Sequence, residues 1–520
     1  MFSDGSPGVH RPTPKIGSVK KTVIAAVATA LTAGLTTGVA APAGAHGTEY
    51  RTRAGHALTG TLRGSQIVGH TDTAHGTLSL NDDGSFRYAP DAGFTGTDSF
   101  TVTRSDAVRL YGTELPPLAT IGGVAVGDSA YGSAVAPVPG HPDEYYGLTD
   151  RGPNVDGPND TKVEPLPDYA PKLGKFRLHN GKATLLGTIT LRGADGTPYN
   201  GRVNSDASTG ETITDLNGTV LAPSKYGYDP EGLVARSDGT FWISDEYGPF
   251  ITHFDAKGRQ LGRLSPYDGS LPAELAYRTP NKGMEGLTIT PDGRTLVGIM
   301  QSALTQPDLT VKTKNVALTR IVTYDLRTHA THEYAYLLDN PGDTGTAVSE
   351  ITAVSDTRFL VDERDGEVEP GAYKKLFSID VSHATDIEGV TVGGKSLEAL
   401  VGKESTDDAT ATLAAAGITP VSKSLSLDLG GLLTRLNPDG YFFGHDKIEG
   451  VALADHGRTL IISNDSDFGI DGLSNDTAPY QLHAKTLPDG SVDSGEYLAV
   501  DLAAADDATT STTVTITVTH

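Results

Sequence analysis

The chain has 520 residues and a net charge of −24, with 41 Lys and Arg against 65 Asp and Glu. That balance excludes the basic footprint of a nucleic-acid-binding protein, and the lack of Cys excludes disulfides, thiolate catalysis and cysteine-ligated metals. The length exceeds one ordinary core, and 62 Gly and 30 Pro predict many turns and few long helices.

In chain order, Lys15, Lys20 and Lys21 precede an Ala-rich apolar run over residues 22–39, and Ala43-Gly44-Ala45 follows. A basic region, an apolar region and a small-residue box make a signal peptide over residues 1–45, with a mature chain from His46. Thr and Gly within the run, and its poverty in Leu and Ile, argue against a membrane anchor. The expected product is secreted, extracellular and free of the membrane.

Residues 46–109 alternate at Thr77-Leu78-Ser79-Leu80 and Ser85-Phe86-Arg87-Tyr88 around Asp83-Gly84, which predicts a hairpin. With Phe94-Thr95-Gly96-Thr97-Asp98-Ser99-Phe100, this stretch resembles the cadherin-like, immunoglobulin-type repeats of secreted bacterial proteins. The final Thr-Val-Thr-Ile strand of such repeats does not follow. It stands instead at residues 511–519, where Thr alternates with Val and Ile. The expectation is a small β-sandwich completed by residues 506–520, with a large domain over residues 110–505 inserted into it.

That large domain repeats one pattern: Glu-Gly, an apolar strand, an Asp-Gly turn, a second apolar strand, then acids. It starts at Glu231-Gly232, Glu285-Gly286 and Glu449-Gly450, more weakly at Ser349-Glu350, and in degenerate form at Gly122-Gly123-Val124. Each copy reads as a short meander that must stack on its neighbours to bury its face. The predicted fold is therefore all-β, a five- to six-bladed β-propeller inserted into a small immunoglobulin-like β-sandwich. Residues 192–228 and 382–429 break the rhythm as insertions, with residues 396–416 reading as helix.

A residue fixed before each innermost strand returns once per blade and builds a ring about the axis. Here the ring is Glu231, Glu285, Glu350 and Glu449, and the ends of the next strands add Asp150, Asp245, Glu246, Asp362, Asp465 and Asp467. Converging carboxylates repel unless a hard cation neutralises them, and Ca²⁺ takes six to eight oxygens. Glu231, Glu285, Glu449 and Asp245 are the expected catalytic carboxylates. Asp150, Glu246, Glu350, Asp362, Asp465 and Asp467 are the expected further metal ligands. Arg151, Lys282, Arg364 and Lys447 are interleaved and suit an anionic substrate. Glu388-Gly389-Val390 lacks the following Asp-Gly turn and is set aside. Gly127-Asp128-Ser129-Ala130 lacks a nucleophile elbow, and His456-Gly457-Arg458 falls in a turn slot.

Asp150-Arg151-Gly152-Pro153-Asn154, Asp229-Pro230-Glu231-Gly232-Leu233, Ser244-Asp245-Glu246-Tyr247-Gly248, Asn281-Lys282-Gly283-Met284-Glu285-Gly286, Lys447-Ile448-Glu449-Gly450 and Asn464-Asp465-Ser466-Asp467-Phe468 together resemble the phytase-like family, "esterase-like activity of phytase". The resemblance implies a β-propeller with phosphoester hydrolase activity; the expected substrate is a small phosphate ester, the expected cofactor Ca²⁺ and the expected state a monomer. A non-catalytic extracellular ligand-binding propeller and a calcium-dependent propeller lactonase or carboxylesterase stand as alternatives.

Overall fold

The computed structural model describes residues 48–520 apart from Asp82, Ser208, Thr209 and Ala508, so the signal-peptide segment lies outside the described residues. The small domain is two stacked sheets. One runs Thr48–Arg53, Thr510–Thr519, Gly96–Ser105, Gln66–His70; the other runs Leu58–Thr61, Ser85–Pro90, Gly76–Leu80. Val514, Ile516 and Val518 turn into the core between the sheets, against Tyr50, Phe86 and Phe100, while the alternating Thr residues face outward. The Thr510–Thr519 strand lies between two strands from the other end of the chain, parallel to one through Thr48↔Val514 and antiparallel to the other through Val514↔Phe100.

Everything between is inserted. Five four-stranded antiparallel blades follow one another. Blade 1 is Ala134–Pro137, Glu144–Leu148, Lys172–His179 and Lys182–Thr190. Blade 2 is Pro230–Ala235, Phe241–Asp245, Ile251–Phe254 and Gln260–Leu264. Blade 3 is Met284–Ile289, Thr295–Met300, Leu318–Asp325 and Thr331–Leu337. Blade 4 is Ala347–Ala353, Arg358–Arg364, Lys374–Asp380 and Ser422–Asp428. Blade 5 takes Ile448–Ala454, Thr459–Asn464 and Glu496–Asp501, then borrows Val108–Thr113 from before blade 1 as its outer strand, with Leu498 opposite Leu110. The innermost strands neighbour one another around a complete circuit, from blade 1 through blade 5 and back to blade 1. The borrowed strand also meets blade 1 through Lys182↔Gly112, so the seam is hydrogen-bonded.

One expectation is corrected here: Gly122-Gly123-Val124 does not open an inner strand, since Gly122 and Gly123 are the turn of a separate hairpin, Ala119–Ile121 with Val124–Val126. The true inner strand of blade 1, Ala134–Pro137, carries no Glu. The helical insertion forms Leu397–Val401 and Thr406–Ala415, capped by Ser396 and Ser405, whose hydroxyls accept from Ala399 N and Asp408 N. Leu397, Val401 and Leu413 pack on Leu318 and Ala335 of blade 3, and buried Arg320 donates to both oxygens of Glu398 at 2.7 and 3.1 Å.

The sandwich is fixed to the ring by polar bonds. Gln66 Oε1 accepts from Leu110 N at 2.9 Å, and Asn437 Nδ2 donates to Val68 O at 2.6 Å.

Candidate active site

The Glu-Gly doublet divides its labour. An added Cβ would lie 2.4 Å from Leu287 N at Gly232, 2.5 Å from Ile351 N at Gly286 and 2.7 Å from Val135 N at Gly450. Each of these glycines therefore lets the next blade's inner strand approach. The Glu before it occupies a β-bulge: the register skips Glu231 between Pro230 and Leu233, Glu285 between Met284 and Gly286, and Glu449 between Ile448 and Gly450. A bulge re-aims a side chain, and here it turns three carboxylates into the axial cavity.

Blade 4 departs from this. Its register skips Ser349, with Val348 opposite Glu363 and Glu350 opposite Asp362. Ser349 thus holds the Glu position, and Glu350 falls where the other blades have Gly. One residue of slip sends a strand side chain to the opposite face. Glu350 is buried between blades, its Oε1 accepting from Ile351 N at 2.8 Å and Leu287 N at 3.2 Å, and it is not part of the cavity wall.

The same alternation sorts the acids at the ends of the second strands. Glu246, Gln301, Arg364 and Asp465 hold equivalent positions, one residue past the pairs Pro230↔Asp245, Met284↔Met300, Val348↔Glu363 and Ile448↔Asn464, and all four line the cavity. Asp245 points away: it accepts from Asp229 N at 2.9 Å, Tyr247 N at 3.0 Å and Gly248 N at 3.1 Å, which is a structural role. Asp362 also lies off the cavity, buried with neither oxygen hydrogen-bonded among the described residues. Burial pushes Asp362 up to about 8 and Asp245 up to about 7.

The cavity has a volume of about 510 Å³. Its mouth is bordered by Val155, Asp156 and Lys162, from a sheet of Val155–Gly157, Thr161–Glu164 and Thr212–Asp215, and by Ile470 and Asp471. Its cations are mostly neutralised within the wall. Arg151 sits 3.0 Å from Glu211 and 3.7 Å from Asp229 and bonds Tyr247 Oη. Arg364 donates to Ser349 Oγ at 2.8 Å and to Glu449. Lys447 pairs with Asp465 at 3.2 Å and with Asp467. Lys485 meets Asp446 and Asp467 at 2.7 Å and Asp493 at 3.2 Å. Lys282 differs: its Nζ donates at 2.6 Å to the neutral Oε1 of Gln301, whose Nε2 donates to Glu246 Oε1 at 3.0 Å.

The same wall carries a carboxylate cluster. One oxygen each from Asp229, Glu231 and Glu246 lie within 4.8 Å of one another, all three side chains buried. Burial and then Asp229 raise Glu231 well above the carboxylate range; burial and then Glu285 do the same to Glu246. Burial raises Asp229 too, against the pull of Arg151. Glu285 is pushed up to about 7 by burial and by Glu449, and its Oε2 is buried with no hydrogen-bond partner among the described residues. Asp150 is raised by burial and Asp465. Asp465 rises to about 7 through burial, whereas Lys447 and Lys485 outweigh burial at Asp467 and hold it well down.

The structure thus gathers Glu231, Glu285, Glu449, Asp150, Glu246, Asp465, Asp467, Arg151, Lys282, Arg364 and Lys447 at one cavity, and leaves out Asp245, Glu350 and Asp362. It adds Asp229, Gln301 and Lys485. Asp229 had a signal, standing two residues before Glu231 in the most complete copy, and so had Gln301, at the same spacing from Glu285 as Asp465 from Glu449; Lys485 had none.

The family model described as "Esterase-like activity of phytase" matches residues 131–468. The chain belongs to the phytase-like family. In this phytase-like chain, a bacterial Ig domain model matches residues 26–113. A stretch of 217 residues is 30% identical to an uncharacterized secreted protein of Arthroderma benhamiae, covering 34% of this chain and 42% of that protein. The match thus spans less than half of the relative's length. Among solved structures the chain is similar to a protein from Lactobacillus plantarum (11% identity, 77% of this chain and 95% of that one, TM-score 0.30). It is also similar to virginiamycin B lyase from Staphylococcus aureus (11% identity, 86% and 100%, TM-score 0.29). Likeness at those scores carries no argument about the chemistry of the phytase-like cavity.

Proposed function

We propose that this phytase-like propeller is a secreted, Ca²⁺-dependent phosphoric-ester hydrolase. The observation that carries the reading is the buried trio Asp229, Glu231 and Glu246, with ligand oxygens within 4.8 Å of one another. The residues fit a hard divalent cation. The donors are all carboxylate oxygens, and the cavity wall contains no His or Cys among the described residues. Beside them the buried Glu285 Oε2 lacks any partner among those residues. Such a cation, when bound, polarises a phosphoryl oxygen and acidifies a ligated water.

The chain's own groups supply the rest. Lys282 offers the ammonium that makes no ion pair within 4.0 Å among the described residues, and it meets the substrate's anionic oxygen. Arg364, held by Ser349 and Glu449, lines the same cavity as a fixed donor. Glu285, with a carboxyl near neutrality and one free oxygen, can take or give a proton at Oε2. The secreted state is supported by the Arthroderma benhamiae relative, an uncharacterized secreted protein. It is compatible with the finding that no helix among the described residues is long and apolar enough to cross a membrane.

The test is phosphate release from simple phosphomonoesters by the chain from His46 onward, with Ca²⁺ and then with a chelator. Release is expected with Ca²⁺ and lost on chelation, and Glu231→Gln is expected to weaken Ca²⁺ binding at least tenfold. Turnover indifferent to chelation refutes the metal role.

A further inference from the structure

We propose that this cavity admits esters bearing a single anionic group and rejects multiply phosphorylated ones, with Lys282 as the specificity-determining residue. The inference rests on the hydrolase reading and narrows its substrate class. Phytate, the substrate suggested by the family's description, is thereby placed outside it.

The argument is one of charge. Twelve carboxylates and six cationic side chains line the cavity. Five of the six cations already lie within 4.0 Å of a carboxylate: Arg151 with Asp229, Lys162 with Asp156, Arg364 with Glu449, Lys447 with Asp465, and Lys485 with Asp446. Among the described residues, Lys282 alone of the six has no carboxylate oxygen within 4.0 Å; its ammonium donates to the neutral Gln301. One phosphate can be met by that ammonium and by a cation held at Asp229, Glu231 and Glu246. A second phosphate on the same molecule has no uncommitted cation to meet. It must either break a buried ion pair, leaving a carboxylate exposed to it, or face the acidic wall directly. A site built for polyanions would show the reverse: cations in surplus, donating to solvent.

The experiment compares fructose 6-phosphate with fructose 1,6-bisphosphate, which share a sugar and differ by one phosphate, on the Ca²⁺-loaded protein. The monophosphate is expected to have a kcat/KM at least tenfold higher. Lys282→Gln is expected to raise KM for the monophosphate at least tenfold. Glu449→Gln, which frees Arg364, is expected to shrink the discrimination in calorimetric binding. Comparable or better handling of the bisphosphate by the unmodified protein overturns the inference while leaving the hydrolase reading intact. Turnover of neither ester refutes the hydrolase reading alone, and calorimetry of the same two ligands then decides the inference. Selective binding of the monophosphate upholds it; equal binding, or binding of neither, overturns it.

Discussion

Replacing Gly286 by Ala tests whether the Glu-Gly repeat is set by blade-to-blade contact. The new Cβ would lie 2.5 Å from Ile351 N and 2.8 Å from Glu350 C. It therefore falls about 1 Å short of ordinary van der Waals contact with backbone atoms that no rotamer change can move aside. Relief requires the inner strands of blades 3 and 4 to separate, in a core where Val348, Ile351 and Val361 are fully packed. Overpacking of this kind costs about 1–3 kcal/mol. Gly187, also in a strand, has nothing within 4 Å of its virtual Cβ, so Gly187→Ala serves as the control. Thermal unfolding followed by circular dichroism should show Gly286→Ala melting several degrees below the unmodified protein and Gly187→Ala unchanged or slightly raised. If both variants melt with the parent, the close approach is not what fixes glycine at this position.

Two further outcomes follow from the geometry. Glu285 and Glu350 look equivalent in the repeat, yet only Glu285 lines the cavity; Glu285→Gln should lower turnover about a hundredfold and Glu350→Gln should leave it unaltered, as steady-state kinetics will show. His445 is fully buried, with Nδ1 2.8 Å from Asp493 and Nε2 3.0 Å from Glu496. Burial alone would lower it, but Asp493 and Glu496 raise it from 6.5 to about 9. Its folded value exceeds its unfolded one, so its contribution of about 3 kcal/mol is complete below pH about 6.5 and disappears as pH rises through about 9. Melting temperatures between those values should fall in the parent and stay flatter in His445→Gln; equal slopes would remove His445 as the cause.

The repeat made the architecture legible because glycine and the acidic loop are demanded by local sterics that recur in each blade. Gly232, Gly286 and Gly450 meet the same kind of backbone neighbour, so the motif survives in sequence. Ser349-Glu350 misled because a Glu in the glycine slot looks like a Glu in the bulge slot; only the register separates them. Acidic doublets misled for the related reason that strand alternation sends one member in and the other out, which chose Glu246 over Asp245. The start of blade 1 is misplaced at Gly122-Gly123-Val124 because its inner strand, Ala134–Pro137, bears no acid to mark it. Lys485 belongs to no repeated position: it reaches the cavity from the stretch between the hairpin strand Leu482–Ala484 and the outer strands of blade 5. Nothing local in the sequence tells that it will meet Asp446, Asp467 and Asp493.

The strand Thr510–Thr519 pairs residue 514 with residue 48 and with residue 100, and Val108–Thr113 waits for Glu496–Asp501 to complete blade 5. Both closures join segments almost four hundred residues apart or more. A chain emerging from its N-terminal side must therefore hold two unfinished sheet edges open until nearly all of it is available. Unpaired edges invite pairing with other chains. The architecture makes the interval between emergence of the first sandwich strand and arrival of the last one the period of greatest exposure to aggregation.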